Sequence, residues 1–171
     1  KDYVKNDQGL RNENDVNIRR GLSGNQILQE FNQVTEERMT LLSTMTKSDF
    51  SKTTATPRGP RSTRELLAIR IVDCWVHERD IKHALDRYVS LDGPVSEFVI
   101  SRLALAMPYV VGKKVQPKDE SVVLFDVCGP VHFTLPIKVI ETRAYPLDKS
   151  PDNPTAKVSM DCETFICLTT G

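Results

Sequence analysis

Asp73, His77 and Asp80 stand at positions i, i+4 and i+7 of one stretch of the chain, a spacing that can do chemistry. A helix turns about 100° per residue, so residues four apart differ by about 40° in direction. Asp73 and His77 then project from one face, one turn apart. Asp80, three residues further on, lands on the same stripe. A carboxylate and an imidazole held in this way can grip one divalent metal ion from a single rod. Asp80 is then placed to orient His77 or to meet a ligand at the metal. A plainer reading stands beside this one, because amphipathic helices carry Asp and His on solvated faces. The flanks weigh against it. Leu66, Leu67, Ile69, Ile71, Val72, Trp75, Val76, Ile81 and Leu85 are apolar, which predicts a helix buried on most sides. Polar groups on a buried helix need partners, so the stripe is expected to turn toward the interior of a helical bundle.

The elements that must position this stripe can be read along the chain. The helical pattern around it runs from about Thr63 to about Tyr88, with Ser62 and Glu65 as a capping box at its start. Upstream, Ser23 and Gln26 form another capping box, and Leu22 and Ile27 can staple across it. Ile27, Leu28, Phe31, Val34, Leu41, Leu42 and Met45 follow a 3.6-residue period, which predicts an amphipathic bundle helix with a core face. The polar N-terminal stretch can carry a short helix through Arg20. Ser51 to Arg61, rich in Thr and containing Pro57-Arg58-Gly59-Pro60, reads as a loop.

Leu91-Asp92-Gly93-Pro94 closes the helical half, with Pro94 suited to the first turn of a new helix. Val95 to Val111 is apolar and helical, Pro108 is expected to kink it or end it early, and Gly112-Lys113-Lys114 suits its C-terminus. From Ser121 the period shortens. Val122 to Val127 reads as a strand, and Gly129-Pro130 as a turn. His132–Leu135 and Ile137–Ile140 read as a second strand with a break expected at Pro136. Asp148 to Pro154 is a turn-rich loop. Ala156 to Met160 alternates as a third strand, and Asp161 caps a closing helix through Leu168. The expected fold class is α+β: a partial helical bundle over residues 1–92, then a small α/β domain over residues 93–171.

The run from Arg70 to Ile81 resembles the signature helix of the mycothiol-dependent maleylpyruvate isomerase family, one of the DinB-like metal-binding helical bundles. That signature is a carboxylate, two residues ending in Trp, one apolar residue, His, and Asp three further on. Here these are Asp73, Trp75, His77 and Asp80. The family pattern has Glu at the first position, so Asp73 is one methylene shorter. The β-rich tail resembles the family's sterol-carrier-like C-terminal domain, and Thr170-Gly171 matches the start of its closing Thr-Gly-Arg.

The resemblance implies a divalent metal, usually zinc, held by Asp73, by His77 and by a third ligand. That third ligand is a His of an early helix, expected upstream of Lys1 in a sequence that reads as a fragment. Asp80 is implied as a catalytic residue or as the group that orients the ligands. Mycothiol or a similar low-molecular-weight thiol is implied as cosubstrate at an open coordination position. A metal lowers a thiol's pKa. The thiolate adds to an activated cis double bond, and rotation and elimination give the trans isomer. The implied activity is therefore a thiol-dependent isomerase or transferase. The alternative is a non-catalytic module that binds a metal or an apolar ligand.

Composition bounds these readings. The chain has 171 residues, 39% hydrophobic and 27% charged, with zero formal net charge. That is ordinary for a globular protein and leaves no basic footprint for nucleic acid. The apolar runs read as too short to span a bilayer, and no stretch reads as a signal peptide. A cytoplasmic protein acting on a small molecule is expected. None of the four cysteines forms a CxxC pair. They are read as reduced thiols serving as small core residues. Cys74 points about 100° away from Asp73 and is not read as a ligand. His83 lies about 120° off the His77 direction and is expected to be exposed. His132 reads as a packed or surface histidine rather than a ligand.

Overall fold

The computed structural model describes residues 4–56 and 59–170. Pro57 and Arg58 of the expected loop, and Lys1 and Gly171, lie outside the described residues. The chain divides into two compact units, Lys1–Ala68 and Ile69–Gly171. The fold class is α+β, as the periodicities predict: helices first, then a mixed sheet with helices.

In the first unit, α1 (Asp7–Arg19) starts where the Asn6 side chain accepts the Gly9 N–H at 2.8 Å. α2 (Gly24–Ser43) starts with the expected capping box, in which Ser23 and Gln26 satisfy each other's backbone N–H. The Arg19 guanidinium forks onto the Glu30 carboxylate and ties α1 to α2. The expected core face of α2 is not buried. Phe31, Leu28 and Leu41 are 65%, 56% and 69% exposed, and no residue of α2 is buried. A 3.6-residue stripe specifies a face that can be covered; it does not specify the partner that covers it. The expected loop is also more ordered at its ends than its composition predicts. β1 (Thr53–Thr54) pairs antiparallel with β2 (Arg61–Ser62), because β-branched threonines accept extended backbone readily. The Thr63 N–H donates to the Lys52 carbonyl at 2.8 Å, closing this short ladder at the start of α3 (Thr63–Ala84). Ser62 caps α3 through its hydroxyl, which accepts the Glu65 N–H at 3.2 Å.

The second unit is built on a four-stranded sheet of order β5-β4-β3-β6. β3 (Val122–Cys128), β4 (Phe133–Ile140) and β5 (Arg143–Pro146) run antiparallel in succession, and β6 (Ala156–Asp161) lies parallel to β3. Two expectations are corrected here. β5 went unpredicted, since its four residues carry no apolar alternation. β4 runs unbroken through Pro136, which faces Leu124 in the register. The Pro136 carbonyl accepts from Leu147 N–H on the β5 side. The missing N–H of Pro136 therefore points to that side, beyond the last β4–β5 pair, and leaves the β3 ladder intact.

Val123, Phe125 and Val127 of β3 and Ile137 and Val139 of β4 turn to one face of the sheet. There they meet α4 (Pro94–Ala104), α5 (Met107–Tyr109) and α6 (Cys162–Thr170) through Ile100, Met107, Phe165 and Ile166. Phe133 meets Phe165 edge-on, with ring centroids 5.5 Å apart. A π-helical turn, Val110–Val115, follows α5. A Cβ on Gly112 in this turn would sit 3.0 Å from the Ala144 backbone nitrogen of β5, so a side chain there would require the β5 backbone to give way by a few tenths of an ångström, and glycine avoids this. α4, α5 and this turn make one helical run, Pro94–Val115, of 22 residues. By length and composition it is long and apolar enough to cross a membrane, contrary to the reading of the apolar runs as too short. Within this run α4 ends at Ala104, four residues before Pro108, as expected, and Pro108 sits within the first two residues of the short α5, where its missing N–H has no partner to lose. Val99, Ile100, Met107 and Val111 of this run are buried.

Candidate metal centre

α3 brings Asp73, His77 and Asp80 together on one face, as their spacing predicts. Asp73 Oδ1 lies 3.6 Å from His77 Nε2, and Asp80 Oδ2 lies 3.8 Å from His77 Nδ1. These are close polar contacts beyond hydrogen-bond distance. The other Asp73 oxygen accepts a 2.7 Å bond from Arg70 Nη1. The imidazole thus has a carboxylate at each nitrogen.

The stripe does not turn inward as expected. The His77 side chain is 70% exposed, Asp80 58% and Asp73 41%. The reason lies on the same helix. Trp75, packed against the core of the second unit, and Arg79, 4% exposed, are four residues apart and share the buried face. His77 lies two residues from each, about 200° around the helix, so burying one face sends the other to solvent. The apolar flanks overstated the burial: Ile71, Ile81 and Leu85 are 43%, 61% and 61% exposed.

Two donors of this set fit a metal. Ligands on one tetrahedral zinc ion, with bonds of about 2.0–2.1 Å, lie roughly 3.3–3.4 Å apart, close to the 3.6 Å between Asp73 Oδ1 and His77 Nε2. Asp80 faces the other ring nitrogen, where a carboxylate fixes tautomer and ring orientation instead of binding the ion. Among the described residues no three His, Cys, Asp or Glu side chains converge as a metal site.

Sequence reasoning missed a second cluster. Arg79 and His83 on α3 face Glu163 and Cys167 on α6, each pair four residues apart on its helix. Arg79 Nη2 donates to the Glu163 carboxylate and, at 3.3 Å, to the Cys167 sulfur. His83, half-exposed, lies 3.7 Å from Glu163. Burial works against the Arg79 charge, and the hydrogen bonds to Cys167 and Glu163 outweigh it, holding its pKa above the ordinary value. The i, i+4 spacing of each pair was visible in the sequence; that the two pairs meet across 84 residues was not.

The cysteines are all free thiols, but only Cys162 is a core residue. Its Sγ donates to the Val131 carbonyl, and burial pushes its pKa up. Cys74, Cys128 and Cys167 are exposed. His132, 65% exposed, lies 3.6 Å from Asp126, which also pairs with Lys157 at 2.6 Å. It is a surface histidine, as read. Ile100, Ala104, Leu105, Phe133, Leu135 and Pro146 line an apolar groove of about 500 Å³ between the α4–α5 segment and the sheet.

An α+β chain that presents a carboxylate–histidine pair at metal-ligand spacing on one long helix is a candidate metal-dependent protein by class. Residues 2–82, a little under half of the chain, match the family model described as mycothiol maleylpyruvate isomerase N-terminal domain. No curated protein and no solved structure matches the chain.

Proposed function

We propose that the protein is a divalent-metal-binding enzyme, an isomerase or transferase that uses mycothiol or a similar low-molecular-weight thiol. The observation that carries this reading is the row Asp73–His77–Asp80 on α3, with His77 Nε2 3.6 Å from Asp73 and Nδ1 facing Asp80, inside the family-matched residues. Asp73 and His77 would hold the ion, zinc or another divalent metal, together with a donor from outside this row. Such an ion acidifies a coordinated thiol. Asp80 orients the imidazole and is the residue whose loss impairs turnover most selectively. Asp73 is one methylene shorter than the Glu of the family pattern. We read residues 1–92 as the metal-binding helical portion, DinB-like in kind, and residues 93–171 as the sterol-carrier-like portion. The zero net charge supports a small-molecule substrate rather than nucleic acid, and a cytoplasmic location goes with the thiol cosubstrate.

The test is a turnover assay on the intact, zinc-loaded protein. A cis-unsaturated diacid such as maleylpyruvate is supplied with and without mycothiol, and the cis–trans conversion is followed by absorbance. Conversion that needs both thiol and metal, and is lost in His77→Ala, is expected. Thiol-independent conversion, or full activity in His77→Ala, would overturn the reading. The apolar groove supports a second reading, non-catalytic binding of an apolar ligand. That reading leads if no thiol-dependent turnover is found and a fluorescent fatty acid saturates the protein.

A further inference from the structure

The cluster between α3 and α6 plays no part in the proposed metal chemistry, and it surrounds a solvent-exposed thiol. Cys167 Sγ accepts a hydrogen bond from Arg79 Nη2 at 3.3 Å and lies 3.8 Å from a Glu163 carboxylate oxygen, to which it can donate its proton. Arg79 is 4% exposed, and its Nε has no hydrogen-bond partner. A buried guanidinium with an unsatisfied N–H is costly and is resolved by an acceptor arriving at its open edge. The sulfur already stands at the neighbouring Nη2, so an oxygen added to that sulfur can supply the acceptor.

We propose that Cys167 is a site of reversible oxidation, forming a sulfenic acid with hydroperoxides and then a mixed disulfide with a low-molecular-weight thiol. The thiolate is the attacking form of cysteine; Cys167 is exposed, and its sulfur lies 3.3 Å from Arg79 Nη2. In the first step the thiolate sulfur attacks the terminal peroxide oxygen: an S–O bond forms, the O–O bond breaks, and hydroxide leaves from hydrogen peroxide, or an alkoxide from an organic hydroperoxide. Sulfur is oxidised by two electrons and the peroxide is reduced by two. The new oxygen accepts from Arg79, which satisfies the open N–H. In the second step the thiolate of the small thiol attacks the sulfenic sulfur, an S–S bond forms, and the S–O oxygen leaves as water after protonation. The other cysteines are internal controls. Cys162 is buried, and among the described residues no cation donates to Cys74 or Cys128.

The intact protein is treated with hydrogen peroxide and trapped with dimedone at timed intervals, and adducts at each cysteine are quantified by mass spectrometry. Cys167 is expected to be trapped at least about tenfold faster than Cys74 or Cys128, with Cys162 unlabelled. Free cysteine added in place of dimedone should form its disulfide at Cys167. In Arg79→Met, checked for folding by circular dichroism, the rate at Cys167 should fall to that of Cys74. Equal rates at the three exposed cysteines in the wild type would overturn the assignment, whether or not Arg79→Met folds. An unchanged rate at Cys167 in folded Arg79→Met would also overturn it.

Discussion

Replacing Glu163 with alanine should destabilise the second unit by about 2–3 kcal/mol. The Arg79 side chain is 4% exposed and its Nε is already unpartnered. Removing Glu163 leaves a buried cation with only the Cys167 sulfur beside it. Breaking a fully buried ion pair costs about 3–5 kcal/mol, while exposed pairs are worth about 0–1 kcal/mol. Glu163 is 43% exposed, so water screens its end of the pair and the value falls between these limits. The only tryptophan, Trp75, packs partly buried against the core of this unit, and its fluorescence reports the unfolding. With a urea dependence of about 1–2 kcal/mol/M, the midpoint should fall by roughly 1–3 M. The double variant Arg79→Met/Glu163→Leu removes the charge as well as its partner and should recover at least half of the loss. A midpoint within about 0.3 M of wild type in Glu163→Ala, on the same scale, would refute the argument that Arg79 depends on this carboxylate.

Three further outcomes are expected. Phe165→Ala removes a side chain that is 1% exposed and stacks edge-on against Phe133; it should cost about 3–5 kcal/mol by denaturant titration. Asp126 is held below the ordinary carboxylate range by its hydrogen bond from Lys157 and, less, by His132. A lowered folded-state pKa stabilises above the unfolded value and is lost on acidification, so the melting-temperature gap between wild type and Asp126→Asn should be present at about pH 7 and close below about pH 4. Asp80→Asn should lower thiol-dependent turnover about tenfold or more while zinc content stays near wild type; His83→Ala, on the opposite cluster, should change neither.

What the sequence made legible was whatever depends on local chemistry. The Ser23–Gln26 capping box, the Asp161 cap of α6 and the strands at 122 and 156 are written in neighbouring residues, and the structure has them. The common face of Asp73, His77 and Asp80 follows from helical geometry alone. Its direction did not follow, because it depends on which opposite face is buried, and that face is anchored by Arg79, a residue whose charge predicts exposure. Glu163 and Cys167 neutralise and hydrogen-bond it from 84 and 88 residues away, beyond any periodic signal. β5 escaped notice for a similar reason: its ladder with β4 is fixed by the Glu141-Thr142 reversal, where both residues have positive φ without a glycine to announce the turn.

The most direct test of the metal assignment is zinc content. The intact protein, purified after metal-replete expression, is analysed by inductively coupled plasma mass spectrometry beside His77→Ala and Asp73→Ala. The account predicts about one zinc per chain in the wild type, as a catalytic site would hold, and little or none in either variant. A wild type that carries no zinc, or a His77→Ala variant that keeps it, would contradict the assignment of α3 as the metal-binding helix.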